Sequence, residues 1–200
     1  MRAVIVYESM YGNTRAIAEA IAEGIAPIDS TTLPLAAADR SALEGADLIV
    51  IGAPTHAFGM SRPQTRAAAA DAMRKPGNTL SLEPGAAGLG VREWLAFPMP
   101  SARTAVFDTR VKWSRLGHAS HAIDKQLSRR GIALFERPQS FFVTKDNTLV
   151  IGELERAREW GHELGRHLGA ERVESMAATR NPVSTRPDAG GSETNRADRI

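Results

Sequence analysis

Val4-Ile5-Val6-Tyr7-Glu8-Ser9-Met10-Tyr11-Gly12-Asn13-Thr14 is the stretch that decides the fold. A short apolar run stops abruptly in small, polar and hydroxyl residues. A helical pattern follows at once through Ala16, Ile17, Ala18, Ala20, Ile21 and Ala22. This reads as a buried strand, a tight loop and a helix, the first half of a βαβ unit. The loop offers successive backbone N–H groups beside Ser9, Asn13 and Thr14, and the helix adds the positive end of its dipole. Such a loop predicts a phosphate cradle at a helix N-terminus.

The letters restrict what kind of cradle it is. A nucleotide-hydrolysing P-loop needs Gly-Lys-Ser/Thr after its glycines, and a dinucleotide fingerprint needs Gly-x-Gly-x-x-Gly. Neither occurs after this strand, where Gly12 stands alone. What remains is a hydroxyl-lined loop without an obligatory cation, suited to one terminal phosphate. Tyr7, Ser9, Gly12, Thr14, Ala18 and Ile21 match in order the phosphate-loop signature of the flavodoxin family, which the chain resembles over about residues 2–168.

The rest of the chain continues the alternation. Strands are expected at 2–7, 28–35, 47–52 and 104–107, with a final split strand from 132–135 and 140–143. The second contains Pro34 and polar residues, which suits a sheet edge. Helices are expected at 13–24, 41–44, 62–74, 91–97, 118–130 and 153–168; Pro63 suits a first turn and Gly131 a C-cap. Residues 75–87 read as a Gly- and Pro-rich loop. Alternating strands and helices predict a parallel sheet covered on both faces. The resemblance implies an α/β, flavodoxin-like, doubly wound five-stranded sheet in the order 2-1-3-4-5, over a domain of residues 1–170. From residue 171 the helical period stops, and 171–200 read as a disordered tail.

Composition narrows the chemistry. The 200 residues contain no cysteine, which excludes disulfides, thiol catalysis and Cys-ligated iron–sulfur or zinc sites. A formal net charge of +2 is too small to suggest nucleic-acid binding. No apolar run approaches the ~20 residues that span a bilayer, and no secretory leader opens the chain, so a cytoplasmic location is expected. His118 and His121 share a helix face without a further ligand at matching spacing, so no metal site is expected.

Ligands of doubly wound sheets bind where the strand order reverses, a rule for which flavodoxin is itself a type case. The resemblance therefore implies FMN in three loops. The first, with Ser9, Met10, Tyr11, Gly12, Asn13 and Thr14, would hold the phosphate. The second, with Pro54, Thr55, His56, Phe58 and Gly59, and the third, with Asp108, Thr109, Arg110, Lys112 and Trp113, would sandwich the ring. Tyr11 stands where the family often has Thr; it either covers the ribityl chain or faces outward. Arg110, Lys112 and Arg115 place positive charge beside the ring, which favours the reduced anionic flavin and predicts a less strongly reducing cofactor than in a typical carrier.

Three functions stay open on the sequence. One is an electron carrier that docks on redox partner proteins. Another is an FMN-dependent oxidoreductase that passes electrons to a small acceptor such as a quinone or a porphyrinogen. The third is a flavodoxin-like interaction module without catalysis. A phospho-receiver domain shares the winding but lacks its acidic cluster: the first loop has only Glu8, and the third strand ends in Gly52-Ala53-Pro54-Thr55.

Overall fold

In the computed structural model, residues 1–57, 59–73, 80–112 and 117–180 are described, without the side chains of 178–180. Five strands form one parallel sheet in the order β2-β1-β3-β4-β5: β1 (Arg2–Tyr7), β2 (Asp29–Pro34), β3 (Leu48–Pro54), β4 (Arg103–Val111) and β5 (Gln139–Val143). Among the described residues, six α-helices connect or cover them: α1 (Asn13–Ile25), α2 (Arg40–Leu43), α3 (Pro63–Met73), α4 (Val91–Trp94), α5 (Ala119–Ser128) and α6 (Glu153–Arg180).

Strand alternation explains why the buried residues Ala3 to Val6 of β1 and Leu48 to Ile51 of β3 are all apolar. Val4, Val6, Ile49 and Ile51 face one core with Trp94, Leu95, Ile123 and Leu127. Ala3, Ile5, Leu48 and Val50 face the other with Ile17, Ile21, Phe107, Phe141, Trp160 and Leu164. Both faces are covered, so neither set can be polar. Edge strand β2 is half-exposed along its length and ends at Pro34, as its composition predicts.

Helices α1 and α6 touch backbone to backbone. A Cβ on Gly24 would stand 2.0 Å from the Arg158 carbonyl oxygen, and one on Gly161 would stand 2.3 Å from that of Ile21. Only glycine permits this approach, which fixes α1, and hence the loop before it, against the domain.

Four elements differ from the sequence reading. Strand β4 continues through Val111, because its residues Phe107 to Val111 pair with Gln139 to Val143 of β5. Ladder pairing holds the polar letters 108–111 extended where an irregular loop was expected. Residues 132–135 are not a strand, although the Phe135 N–H donates to the Thr104 carbonyl (2.7 Å) in the manner of a ladder bond. The expected helix 91–97 is α-helical only to Trp94 and ends in turns at 95–97. Helix α6 runs on to Arg180, so 171–180 are helical and not tail. Losing the apolar period removes the buried face, but Ala, Glu, Arg and Met still favour helix, and Pro182 is the first breaker. Residues 181–200 lie outside the described residues.

Candidate functional site

The first loop leaves β1 at Tyr7, and the Glu8 N–H still donates to Gly52 of β3 (2.9 Å). Ser9 is buried, and its Oγ accepts the Gly12 N–H (3.1 Å). Gly12 caps α1 with φ 89°, a left-handed conformation that residues with a Cβ resist. The first N–H groups of α1 have no acceptor within the helix. Thr14 is buried, its hydroxyl 2.8 Å from that of Thr109. Asn13 donates through its side-chain amide to the Asn147 carbonyl (2.7 Å).

Glu8 turns away from this loop. It is 4% exposed, and its Oε2 accepts the Val91 N–H (2.8 Å). Burial pushes its pKa up, against the opposing hydrogen bonds from Ser61 and Val91. Arg66, also buried, donates to the Ser61 hydroxyl (2.8 Å) and pairs with Glu93 (3.1 Å). This network ties the first loop to the segment that follows the second. A Cβ on Gly90 would stand 2.1 Å from the Arg66 guanidinium, so glycine is needed for the network to close.

The second loop is pinned at both ends. Thr55 donates its N–H to the Thr109 carbonyl (2.8 Å), and its Oγ1 accepts the Ala119 N–H (3.0 Å). His56 and Gly59 exchange backbone bonds of 2.9 and 3.0 Å, closing a tight turn in which Ala57 has φ 41°. Burial and then the Arg66 charge hold the His56 pKa below its ordinary value. Phe58 lies outside the described residues.

The expected third loop is largely the end of β4. Asp108 is fully buried, and its Oδ2 accepts both the N–H and the hydroxyl of Ser120 (each 2.9 Å). Thr55 and Asp108 thus cap the first two N–H groups of α5. The Arg110 guanidinium lies 4.9 Å from the Phe142 ring centroid, with the Lys112 ammonium at 5.9 Å. Trp113 and Arg115 lie outside the described residues.

Nine of the sequence-predicted residues line one open cleft of about 100 Å³: Met10, Tyr11, Asn13, Thr14, Pro54, Thr55, His56, Thr109 and Arg110. Ser9, Gly12, Gly59, Asp108 and Lys112 are not among its walls. Three lining residues were missed, Val111, Val143 and Asn147. Asn147 has φ 56° in the turn after β5, and Lys145-Asp146-Asn147 is turn chemistry between two apolar runs, a signal that was available.

These donors suit a phosphate and a flat ring. When Thr14 and Thr109 share one hydrogen bond, one hydroxyl proton remains to donate. The start of α1 supplies backbone N–H groups, the Gly12 N–H being taken by Ser9. Tyr11 and His56 bring planar side chains to the cleft, and no group of three or more metal-ligating side chains exists among the described residues.

The family model described as Flavodoxin matches residues 5–107, which contain the first two loops and stop inside β4. No curated protein sequence matches the chain. Among solved structures, an archaeal flavodoxin is 20% identical, with a TM-score of 0.59, over 84% of this chain and 99% of its own. Oxidised flavodoxin 1 of Bacillus cereus is 22% identical, with a TM-score of 0.56, over 84% and 99%. Rubredoxin oxygen:oxidoreductase of Desulfovibrio gigas is 18% identical, with a TM-score of 0.58, over 86% of this chain and 37% of that longer one. These likenesses show the fold.

Proposed function

The chain belongs to the flavodoxin family, and on that premise we propose that it binds FMN in the cleft between the three loops and carries electrons. The observation that supports this most is the convergence on one cleft of Thr14, Thr55, His56 and Thr109, beside a helix opened by left-handed Gly12. Bound flavin would supply the electron chemistry. The chain's residues would do the rest. The first loop and the start of α1 would hold the phosphate. Tyr11 and His56 would offer planar side chains to the ring, and burial holds the His56 pKa below its ordinary value, which disfavours a cation there. Arg110, stacked on Phe142, sets positive charge beside the cleft.

Electrons would pass to a redox partner protein. A second reading, an FMN-dependent oxidoreductase acting on a quinone or porphyrinogen, draws support from one feature. Residues 35–43 and 89–99 together line an apolar pocket of about 330 Å³, with Leu35, Leu43, Trp94, Met99 and the exposed Phe97 in its wall. No helix among the described residues is long and apolar enough to cross a membrane.

The deciding experiment is the visible spectrum of the purified protein before and after FMN is added and the excess removed. Retention of one FMN per chain, with perturbed bands, is the expected result. No retention and no perturbation would leave the interaction module as the better reading. Reductive titration then separates the redox readings: two resolved one-electron steps favour the carrier, a single two-electron step the oxidoreductase.

A further inference from the structure

A segment far along the chain lies against the phosphate loop. Glu83 donates its N–H to the Met10 carbonyl (2.9 Å). Its Oε1 lies 3.2 Å from where a Cβ on Gly12 would be. The carboxylate is therefore seated beside the backbone that opens α1. Arg15, the third residue of that helix, grips it in a two-point fork: Nη2 to Oε1 at 3.1 Å and Nε to Oε2 at 3.1 Å. The same guanidinium reaches Glu19 one turn on, at 3.4 Å.

This arrangement joins three facts. A helix N-terminus attracts an anion, and here the chain's own carboxylate stands beside it. A guanidinium fork fits phosphate as well as it fits carboxylate. The pair is also accessible, with Arg15 44% and Glu83 20% exposed, so exchange of partner needs only side-chain rotation. The backbone bond from Glu83 to Met10 does not depend on it.

We infer that Arg15 is a counter-ion for the phosphate of the bound flavin and that Glu83 is its internal competitor, so that this pair sets the preference for phosphorylated over unphosphorylated flavin. The inference rests on the FMN reading above. When the phosphate enters, Arg15 turns from Glu83 to it, and Glu83 keeps only its backbone hold on the loop. A free carboxylate then remains near a phosphate, which opposes binding. Removing either side chain's charge must therefore act in opposite directions.

The test measures dissociation constants of FMN and riboflavin, by flavin fluorescence, for the parent chain, Arg15→Gln and Glu83→Gln at low salt. Arg15→Gln is expected to weaken FMN about threefold to fivefold, and Glu83→Gln to tighten it by a similar factor, as suits a part-exposed ion pair. Riboflavin affinity should stay within twofold in both, and added salt should shrink the FMN differences. Equal shifts for the two flavins, or weaker FMN binding by Glu83→Gln, would overturn the inference and leave flavin binding standing. A parent chain that binds neither flavin overturns the FMN reading and this inference together.

Discussion

Asp108→Ala separates a structural role from a cofactor role for a residue that the sequence places among the flavin contacts. The carboxylate is fully buried and serves Ser120, the second residue of α5, through two bonds of 2.9 Å. Alanine leaves the backbone N–H and hydroxyl of a fully buried residue without that acceptor. Each unsatisfied buried donor costs about 1–3 kcal/mol, and loss of an anion at a helix N-terminus adds about 0.5–1 kcal/mol. Relief partly offsets this. Asp108 Oδ1 has no hydrogen-bond partner among the described residues, and Arg110 Nε is 4.0 Å away, so burying this charge is itself unfavourable. The hydroxyl can also rotate to another acceptor. A net loss of about 2–4 kcal/mol follows, which lowers the urea midpoint by about 1–2 M at the slope usual for this size. Asp108→Asn keeps one acceptor and should cost about 1 kcal/mol or less. Urea unfolding followed by circular dichroism, without added flavin, reads both. An Asp108→Ala chain that unfolds at the parent midpoint but binds FMN more weakly would refute the reasoning and return the carboxylate to the cofactor.

Gly161→Ala sets a gain of about 1 kcal/mol in helix propensity against a Cβ forced to 2.3 Å from the Ile21 carbonyl. Overpacking of about 1–3 kcal/mol should prevail, lowering the thermal midpoint by about 2–6 °C in a melt; an unchanged or higher midpoint would show that α1 and α6 separate freely. His56 predicts a pH dependence. Its folded pKa lies below the unfolded 6.5, so on acidification the unfolded chain takes up the proton first. Stability should fall as pH drops through about 6.5 towards the folded pKa, and His56→Gln should flatten this part of a urea-midpoint series between pH 7.5 and 5.5. Arg110→Gln in the FMN-loaded protein removes one cation beside the cleft. An interaction on the order of 1 kcal/mol corresponds to roughly 20 mV, so the two-electron midpoint should move down by about 20 mV. A spectroelectrochemical titration with no shift, or an upward one, would place the guanidinium's field away from the flavin.

Much of this protein is written locally. Val4 to Thr14 specify strand, loop and helix through a change in period and a single glycine. The unbroken apolar runs of β1 and β3 announce a sheet buried on both faces, and Pro34 marks the edge. The positions of the first two loops follow from that winding, whereas residues 108–111 of the expected third are held in β4 by pairing with β5. Loss of the amphipathic period from residue 171 hides a helix that runs on to Arg180, because residues 171–177 hold helix on propensity while largely exposed.

What tertiary structure alone decided is which side chains at the site are already engaged. Asp108 and Thr55 look equally free for a ligand in the sequence, yet they cap α5. Asn13 is bound by Asn147, 134 residues away, and Thr14 by Thr109, 95 residues away. Glu83, in a stretch whose sequence reads as a Gly- and Pro-rich loop, stands against Gly12 and holds Arg15. Hydrogen bonding and charge act over a few ångströms of space, and sequence spacing carries no record of that distance. Local pattern therefore determined the scaffold, and the folding of distant segments onto one another determined which of its donors and charges face the cleft.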